Sequence, residues 1–298
     1  MERERTEKMP VVGSRHRMLI YDECLGQGMP VVFFPGAGWP GCAGRNIGEA
    51  LQPDYAFHMV DLPGFGRSDG LRPRVSERVL ADWVESYMDS QRLATTHLVG
   101  HSLGAYVALV FAVHFPTRVA SLTLLDMGHK RVPRLQSQPG AFGYVVPLIS
   151  LTERLFGVDR LWRWLDRLDH SENETKMLED RIDGYRHQGV YTLDDDIYLR
   201  EALSYEPVLS AAGLSLLLSV YRAHPPRLLA GIRVPTLLVY SMKPTGSTAE
   251  HIKTERQVQQ LIQRNAWIPT KGINGGHHVH WVEPSVATTV AEHIRASS

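Results

Sequence analysis

The segment Gly100-His101-Ser102-Leu103-Gly104 combines a hydroxyl nucleophile with two flanking glycines. It matches the pattern G-x-S-x-G and stands between a short apolar run, THLV, and a long apolar segment, AYVALVFAV. A serine on a tight strand-to-helix turn lifts its oxygen above the sheet, close to a helix N-terminus that stabilises negative charge. The glycines let neighbouring elements approach without a Cβ clash. The pattern alone is common, but this context predicts that Ser102 is a nucleophile rather than a turn serine.

A second reactive cluster is the run Gly275-Gly276-His277-His278-Val279-His280 near the C-terminus. A serine hydroxyl needs an adjacent base, and histidine is the usual one because its pKa lies near neutral pH. The chain has 14 histidines, so only position can select among them. Three clustered histidines also fit a metal site, but no carboxylate or cysteine pattern completes one here, and we expect no metal.

The run Gly36-Ala37-Gly38-Trp39-Pro40-Gly41 fits the dinucleotide-binding pattern G-x-G-x-x-G after an apolar run. Asp61 ends the next apolar run, about where a ribose-binding acid would stand. Against this interpretation, Pro40 occupies the turn whose backbone N–H groups should face the pyrophosphate. A nucleotide site would also leave Ser102 and the late histidines unexplained. We therefore expect no cofactor, and we expect Asp61 to shape the turn of DLPGFG.

Four stretches make the sequence similar to the α/β-hydrolase family, in its capped, esterase-like and epoxide-hydrolase-like branch. They are VVFFPGAG at 31–38, DLPGFGRSD at 61–69, VGHSLG at 99–104 and GGHHVHWVEP at 275–284. They occur in the family's order and span nearly the whole chain. The resemblance implies a mostly parallel central sheet flanked by helices, with a helical cap inserted after the strand that follows the nucleophile helix. It is specific for this fold and much less specific for the substrate.

The resemblance also implies roles for single residues. The family's base lies in a loop before the final helix, which makes His277 the expected base and His278 and His280 its competitors. The family's oxyanion hole uses two backbone N–H groups aimed at the developing charge. Leu103, the residue after the nucleophile, and Ala37, in the loop after VVFF, stand at the matching positions. Where the family usually has His-Gly, this sequence has PG at 35–36, which leaves the main-chain donor of Ala37 intact.

The acid of the triad is open between two positions. The family most often places it just after the strand that follows the insertion, but the slot at 243–245 holds no carboxylate, and the nearest one is Glu250, several residues later. A second arrangement in the family puts the acid at the end of the strand after the nucleophile helix, which is Asp126 in LTLLDMGH. We favour Asp126, because a carboxylate at that edge of the sheet lies where ligands gather. An ordinary role in a turn or cap remains the alternative for this residue.

Alternating strand and helix patterns predict an α/β protein with a mostly parallel sheet covered on both faces. Short apolar, β-branched runs predict strands at 29–34, 55–60, 96–99, 119–125, 234–240 and 266–270. Helical patterns cover 44–51, 75–90, 102–114, 254–263 and 285–294, whereas residues 1–15 look like a solvated tail. Amphipathic segments without strand patterns fill the middle of the chain. We therefore predict a core domain of residues 1–127 and 231–298, and a helical cap subdomain of residues 128–230.

Composition sets the broad class. The chain of 298 residues is 43% hydrophobic and 21% charged, with 32 basic and 32 acidic residues, so the formal net charge is zero. Nucleic-acid binders usually carry a basic excess, and we expect no such partner. The charged N-terminus has no apolar signal-peptide region, and no run approaches the roughly 18 apolar residues of a membrane span. Two free cysteines, Cys24 and Cys42, fit a reducing compartment, and we expect a cytoplasmic protein whose oligomeric state is left open.

The leading functional hypothesis is an enzyme that hydrolyses an ester or related acyl bond of a small, fairly apolar substrate. A serine nucleophile argues against dehalogenase or epoxide-hydrolase chemistry, for which the family uses aspartate. Hydrolysis of carbon–carbon bonds or lactones and cofactor-free peroxidation use the same residues and remain open. A second hypothesis is a weakly active, hydrolase-like protein that binds a small molecule, and the empty acid slot at 243–245 is the feature that favours it.

Overall fold

A computed structural model describes residues 2–10, 17–71, 74–130, 150–168, 178–205, 210–242 and 248–298. Its centre is an eight-stranded sheet with the order β1-β2-β4-β3-β5-β6-β7-β8. The strands are Glu2–Pro10 (β1), Arg17–Gly26 (β2), Met29–Phe34 (β3), Tyr55–Val60 (β4), Thr96–His101 (β5), Val119–Leu125 (β6), Thr236–Ser241 (β7) and Thr270–Ile273 (β8). The strands β3 to β8 pair in parallel with one another, whereas β2 pairs antiparallel with both β1 and β4. The predicted α/β class and mostly parallel sheet are therefore confirmed.

Helices cover the sheet and account for most of the described residues between β6 and β7. They are Arg45–Ala50 (α1), Glu77–Ser90 (α2), Leu103–His114 (α3), 150–156 (α4), Val158–Leu168 (α5), Leu178–His187 (α6), Ile197–Ser204 (α7), Ala211–Arg222 (α8), Pro225–Ala230 (α9), Thr248–Arg264 (α10), Val279–Val282 (α11) and Ser285–Ala296 (α12). Between β6 and β7 the described residues form no strand, as the sequence predicts. Within the described ranges, no helix has both the length and the apolar content needed to cross a bilayer.

Local sequence explains the two helices that flank the nucleophile strand. In α3 ten residues from Leu103 to Ala112 are buried, which fits its uniformly apolar sequence between the sheet and α2. In α2 the buried residues follow a helical period and face the same core, and Ser76 caps the helix by accepting a hydrogen bond from the Val79 N–H at 3.3 Å. Packing of α3 against β5 fixes the direction in which the turn between them points.

The N-terminal prediction was wrong. Instead of a solvated tail, residues Glu2–Pro10 form β1, which pairs along its whole length with β2. The sequence ERERTEKMP alternates charges without an apolar run, so it carries no strand signal of its own. Its partner β2 has backbone N–H and C=O groups on both edges that need hydrogen-bond partners. Because β4 pairs with only one of these edges, the other edge is open to β1. The strand β8 also lies later than predicted, at Thr270–Ile273, because residues 265–268 form a turn closed by a bond from the Ile268 N–H to Asn265 O at 3.0 Å.

The helices between β6 and β7 contact three loops at the carboxyl edge of the parallel strands. Tyr185 of α6 packs edge-on against Trp39, with ring centroids 5.4 Å apart. The hydroxyl of Ser210, which precedes α8, donates to Gly64 O at 2.9 Å. The backbone N–H of Thr192, which follows α6, donates to Trp281 O at 3.1 Å. The inserted helices thus contact the loops after β3, β4 and β8.

Candidate active site

The turn between β5 and α3 has the backbone conformation of a nucleophile elbow. Ser102 has φ 52° and ψ −115°, in a region that L residues rarely adopt and that costs on the order of 1–3 kcal/mol. The glycines of the motif permit this turn. A Cβ on Gly104 would lie 2.1 Å from Phe34 O, and a Cβ on Gly100 would lie 2.5 Å from the Cα of Ala105. Close backbone approach therefore requires glycine at both positions.

Three side chains meet above this turn although they are far apart in the sequence. The Nε2 atom of His277 lies 2.8 Å from Ser102 Oγ, and its Nδ1 atom lies 2.5 Å from Asp126 Oδ2. If Nδ1 carries the proton that Asp126 accepts, Nε2 is free to accept the proton of the serine hydroxyl. The order serine, histidine, carboxylate is the arrangement used for nucleophilic acyl transfer.

Asp126 is held by the backbone of the neighbouring strand. It follows β6 directly and has φ 53°, and its own N–H donates to Val239 O at 2.7 Å. Its Oδ1 atom accepts the Ser241 N–H at 3.0 Å, and Lys130 Nζ lies 3.6 Å from the same oxygen. Burial raises the pKa of Asp126, but the hydrogen bond with His277 and the charge of Lys130 outweigh burial and lower it. The carboxylate is therefore ionised at neutral pH.

The competing positions for the acid lie outside the described side chains. The usual family slot at 243–245 lies outside them. The backbone of Glu250 belongs to α10, but its side chain lies outside the described part of the structure. The Nδ1 atom of His277 is already engaged by Asp126.

The two expected oxyanion donors lie on loops that are tied together. The Gly104 N–H donates to Pro35 O at 2.9 Å, which joins the elbow to the loop after β3. Leu103 begins α3, and Ala37 lies in a turn closed by a bond from the Trp39 N–H to Gly36 O at 3.2 Å. Among the described residues, neither the Ala37 nor the Leu103 N–H has a hydrogen-bond acceptor. Both amides are thus available to a ligand.

His101 occupies the x position before the serine in G-x-S-x-G, and it belongs to the site although the sequence analysis did not select it. Its ring is buried, and its Nε2–H donates to His277 O at 3.0 Å. This bond holds the loop that carries His277 against β5. Burial and the neighbouring histidines 277, 280 and 278 lower its pKa well below the usual value, so the ring is neutral. Its place inside the G-x-S-x-G motif was the available signal.

The two competitors of His277 are packed among aromatic rings. The ring of His278 stacks on Trp281 with centroids 5.3 Å apart and an interplanar angle of 7°. Burial lowers the pKa of His278 well below its usual value, and it lowers that of His280 to about 3. The hydrogen bond to Ser102 is made by His277. Among the described residues, no group of three His, Cys, Asp or Glu side chains could hold a metal ion.

The glycine-rich run after β3 is organised by Asp61 rather than by an open anion site. Asp61 Oδ1 accepts the Gly41 N–H at 2.7 Å, and its Oδ2 accepts the Arg67 backbone N–H at 2.9 Å. The third glycine of the run is needed for packing, since a Cβ on Gly41 would lie 2.5 Å from Met59 O. The carboxylate therefore shapes two turns.

Comparison with known proteins identifies the family to which the fold belongs. Residues 30–284 match the family model for the α/β hydrolase fold. A 2-hydroxy-6-oxononadienedioate/2-hydroxy-6-oxononatrienedioate hydrolase of Escherichia coli O139:H28 is 32% identical over 191 residues, which cover 53% of this chain and 64% of that protein. The chain thus covers less than two thirds of the length of the curated relatives it matches.

Solved structures with the same fold cover nearly the whole chain. An esterase from Thermogutta terrifontis aligns with a TM-score of 0.69 at 18% identity, covering 98% of this chain and 99% of that one. An enol-lactonase from Burkholderia xenovorans LB400 aligns with a TM-score of 0.67 at 15% identity, covering 97% and 100%. The parallel sheet, the serine elbow between β5 and α3 and the family match over most of the sequence lead to one conclusion: this chain belongs to the α/β hydrolase fold family.

Proposed function

We propose that this protein is a serine hydrolase that cleaves an ester or related acyl bond through an acyl-enzyme. The observation that carries the proposal is the pair of contacts of His277, at 2.8 Å to Ser102 Oγ and 2.5 Å to Asp126 Oδ2. In this proposal Ser102 is the nucleophile, His277 the general base and Asp126 the acid that orients it.

The proposed reaction has two halves. Ser102 Oγ attacks the carbonyl carbon while His277 Nε2 takes its proton, and the negative oxygen is stabilised by the N–H groups of Ala37 and Leu103. His277 then gives the proton to the leaving group, and an acyl-serine remains. Water attacks this ester with His277 again as base, which releases the acid and restores Ser102. Asp126 stays ionised throughout and stabilises the imidazolium.

We further propose that residues 128–230 form a cap that excludes water and shapes the substrate pocket. The contacts that support it join this segment to three loops around Ser102: Tyr185 to Trp39, Ser210 to Gly64 and Thr192 to Trp281. The aromatic contact between Tyr185 and Trp39 favours a small, fairly apolar substrate.

A second candidate is carbon–carbon bond hydrolysis. The relatives at 32% identity are named as hydrolases of 6-oxo dienedioates. Such a substrate has a ketone and no ester, so hydrolysis beside that ketone breaks a carbon–carbon bond. The same serine, base and oxyanion donors would serve this reaction, and a carbon leaving group would need the proton that His277 delivers.

Two measurements test the proposal. A fluorophosphonate probe should label Ser102 in the wild-type protein and fail to label Ser102→Ala. With p-nitrophenyl esters of increasing acyl length, the wild type should show a burst equal to the enzyme concentration, and Ser102→Ala should show none. No labelling and no burst would instead support the small-molecule-binding hypothesis. Turnover of a 6-oxo dienedioate with a kcat/KM above that of every ester would assign the second candidate.

A further inference from the structure

A second cluster of reactive side chains lies between β2, β4 and α2, and the proposed reaction does not use it. Cys24 and His58 stand directly opposite each other in the β2–β4 ladder. The His58 Nδ1–H donates to Asp22 Oδ2 at 3.2 Å, and the Tyr87 hydroxyl donates to the same oxygen at 3.0 Å. The side chains of Cys24 and His58 lie on the same face of the sheet, because residues directly opposite each other in an antiparallel pair point the same way. A thiol, an imidazole and a carboxylate are thus grouped between β2 and β4.

The cluster opens onto a cleft. Cys24 and His58 line a cavity of about 500 Å³, together with Gln27, Gln52, Gln91 and Leu93 among others. Cys24 is 6% exposed and His58 is 4% exposed, so their reactive atoms lie at the inner wall of this cleft. None of the residues proposed for acyl transfer lines it. The site is therefore separate from Ser102.

The charge of His58 is set by its neighbours. Burial lowers the pKa of His58, but the hydrogen bonds to Asp22 and Cys24 and their charges outweigh burial and raise it to about 9. Among the described side chains, the titratable groups against the imidazole are Asp22 and Cys24 of β2 and Tyr87 of α2. On the next strand, Arg3 of β1 is paired with Cys24 in the ladder. A cationic imidazole beside a thiol favours the thiolate, which is the reactive form of cysteine.

We propose that Cys24 is a nucleophilic thiol, activated by His58, and that small peroxides oxidise it reversibly to a sulfenic acid. The thiolate attacks one oxygen of hydrogen peroxide, so that an S–O bond forms and the O–O bond breaks. The leaving hydroxide takes a proton from the His58 imidazolium and departs as water. Sulfur loses two electrons, and the peroxide gains them. A thiol from solution would reverse the change, with a mixed disulfide as the intermediate.

The other cysteine provides an internal comparison. Cys42 is fully buried. Burial and the nearby carboxylates of Glu201, Glu23 and Asp61 raise the pKa of its thiol far above the usual value. Because the chain has only these two cysteines, each single substitution leaves one thiol to measure. The environment of Cys42 opposes thiolate formation, whereas Cys24 lies opposite an imidazole in the β2–β4 ladder.

The test measures alkylation by iodoacetamide at pH 6.5, followed by intact mass. Cys42→Ser, which keeps Cys24, should react at least about tenfold faster than Cys24→Ser, which keeps Cys42. Adding His58→Gln to Cys42→Ser should slow the reaction at least about tenfold at pH 6.5 and much less at pH 9. After treatment with hydrogen peroxide, dimedone should add to Cys42→Ser and not to Cys24→Ser. Ser102→Ala should give wild-type labelling of Cys24, which separates this proposal from the proposed hydrolase activity.

Equal alkylation rates for the two single-cysteine proteins would overturn the proposal, and so would a rate that does not respond to His58→Gln. Far-UV circular dichroism and urea unfolding check that each variant is folded. If His58→Gln does not fold, Tyr87→Phe replaces it, because it removes one hydrogen bond to Asp22 and keeps the ring. The comparison of Cys42→Ser with and without the change at His58 decides the question, because Cys42 is more deeply buried than Cys24 and would react more slowly on that ground alone.

Discussion

Asp126 shows how a single residue can be undecidable in the sequence and plainly positioned in the fold. The chain offered two carboxylates for the acid, Asp126 and Glu250, and spacing could not choose between them. The choice depends on where β6 ends relative to the histidine loop, a contact that spans 151 positions in the chain. The structure brings Asp126 to His277, while its catalytic role stays a prediction. Ser102 was easier to predict because its signal, glycine on either side, is local.

Replacing Asp126 by asparagine tests that role. Asp126→Asn should lower kcat by about 10³–10⁴-fold, because the amide favours the wrong tautomer of His277 and does not stabilise its cation. Steady-state hydrolysis of a p-nitrophenyl ester measures the effect, and circular dichroism checks folding. Glu250→Gln is the matched control and should keep wild-type turnover. The assignment of the acid is wrong if the two variants behave the other way round.

At the scale of elements, strand prediction succeeded for strands made of apolar residues and failed for strands that carry charged residues. The bounds of β3, β4 and β6 coincide with the predicted runs, because these strands are apolar on both faces. The β1–β2 pair was not predicted, because β1 is charged and β2 carries buried Asp22 and Glu23. Those acids are satisfied by distant partners, such as His58 for Asp22, that no local pattern reveals.

Glycines inside the elements give a second prediction. Gly104→Ala should lower the free energy of unfolding by about 1–3 kcal/mol, because the new Cβ would collide with Phe34 O at 2.1 Å. It should also reduce activity, since the elbow must shift. Gly184→Ala in α6 is the control: nothing lies within 4 Å of its Cβ, and a better helix former should stabilise by about 0.5–1 kcal/mol. Urea unfolding measures both; a Gly104→Ala protein as stable as the wild type would contradict the packing described for the elbow.

On the scale of the whole molecule, four buried histidines couple stability to pH. His97, His101, His129 and His280 are each at most 2% exposed. Burial lowers the pKa of His97 to about 4, of His129 and His280 to about 3, and of His101 well below its usual value. Unfolding returns them to about 6.5. The unfolded chain thus binds more protons below that pH, and acid favours it.

Stability should therefore fall as the pH drops from about 6.5 towards 4, with each histidine costing up to about 1.4 kcal/mol per pH unit. The raised pKa of His58 acts in the opposite direction and over a different pH range. It stabilises the folded protein below about pH 6.5, and this stabilisation is lost as the pH rises towards about 9. Urea unfolding from pH 5 to 8 measures the curve. His97→Gln should reduce the slope of stability against pH by the contribution of one histidine. His187 is an exposed residue of α6, and His187→Gln should leave the slope unchanged. A flat wild-type curve between pH 5 and 6.5 would contradict the neutral buried rings.

The backbone bonds of the triad have a consequence for refolding. The Ser102 N–H donates to Leu125 O and the Asp126 N–H to Val239 O, so the nucleophile and the acid are each fastened to the next strand of the sheet. The last of those strands joins only after a long stretch of chain has looped back, which is entropically costly and slow. A refolding chain should regain its secondary structure first and its reactive serine last. The rate at which fluorophosphonate labelling recovers would then measure how fast β7 pairs with β6.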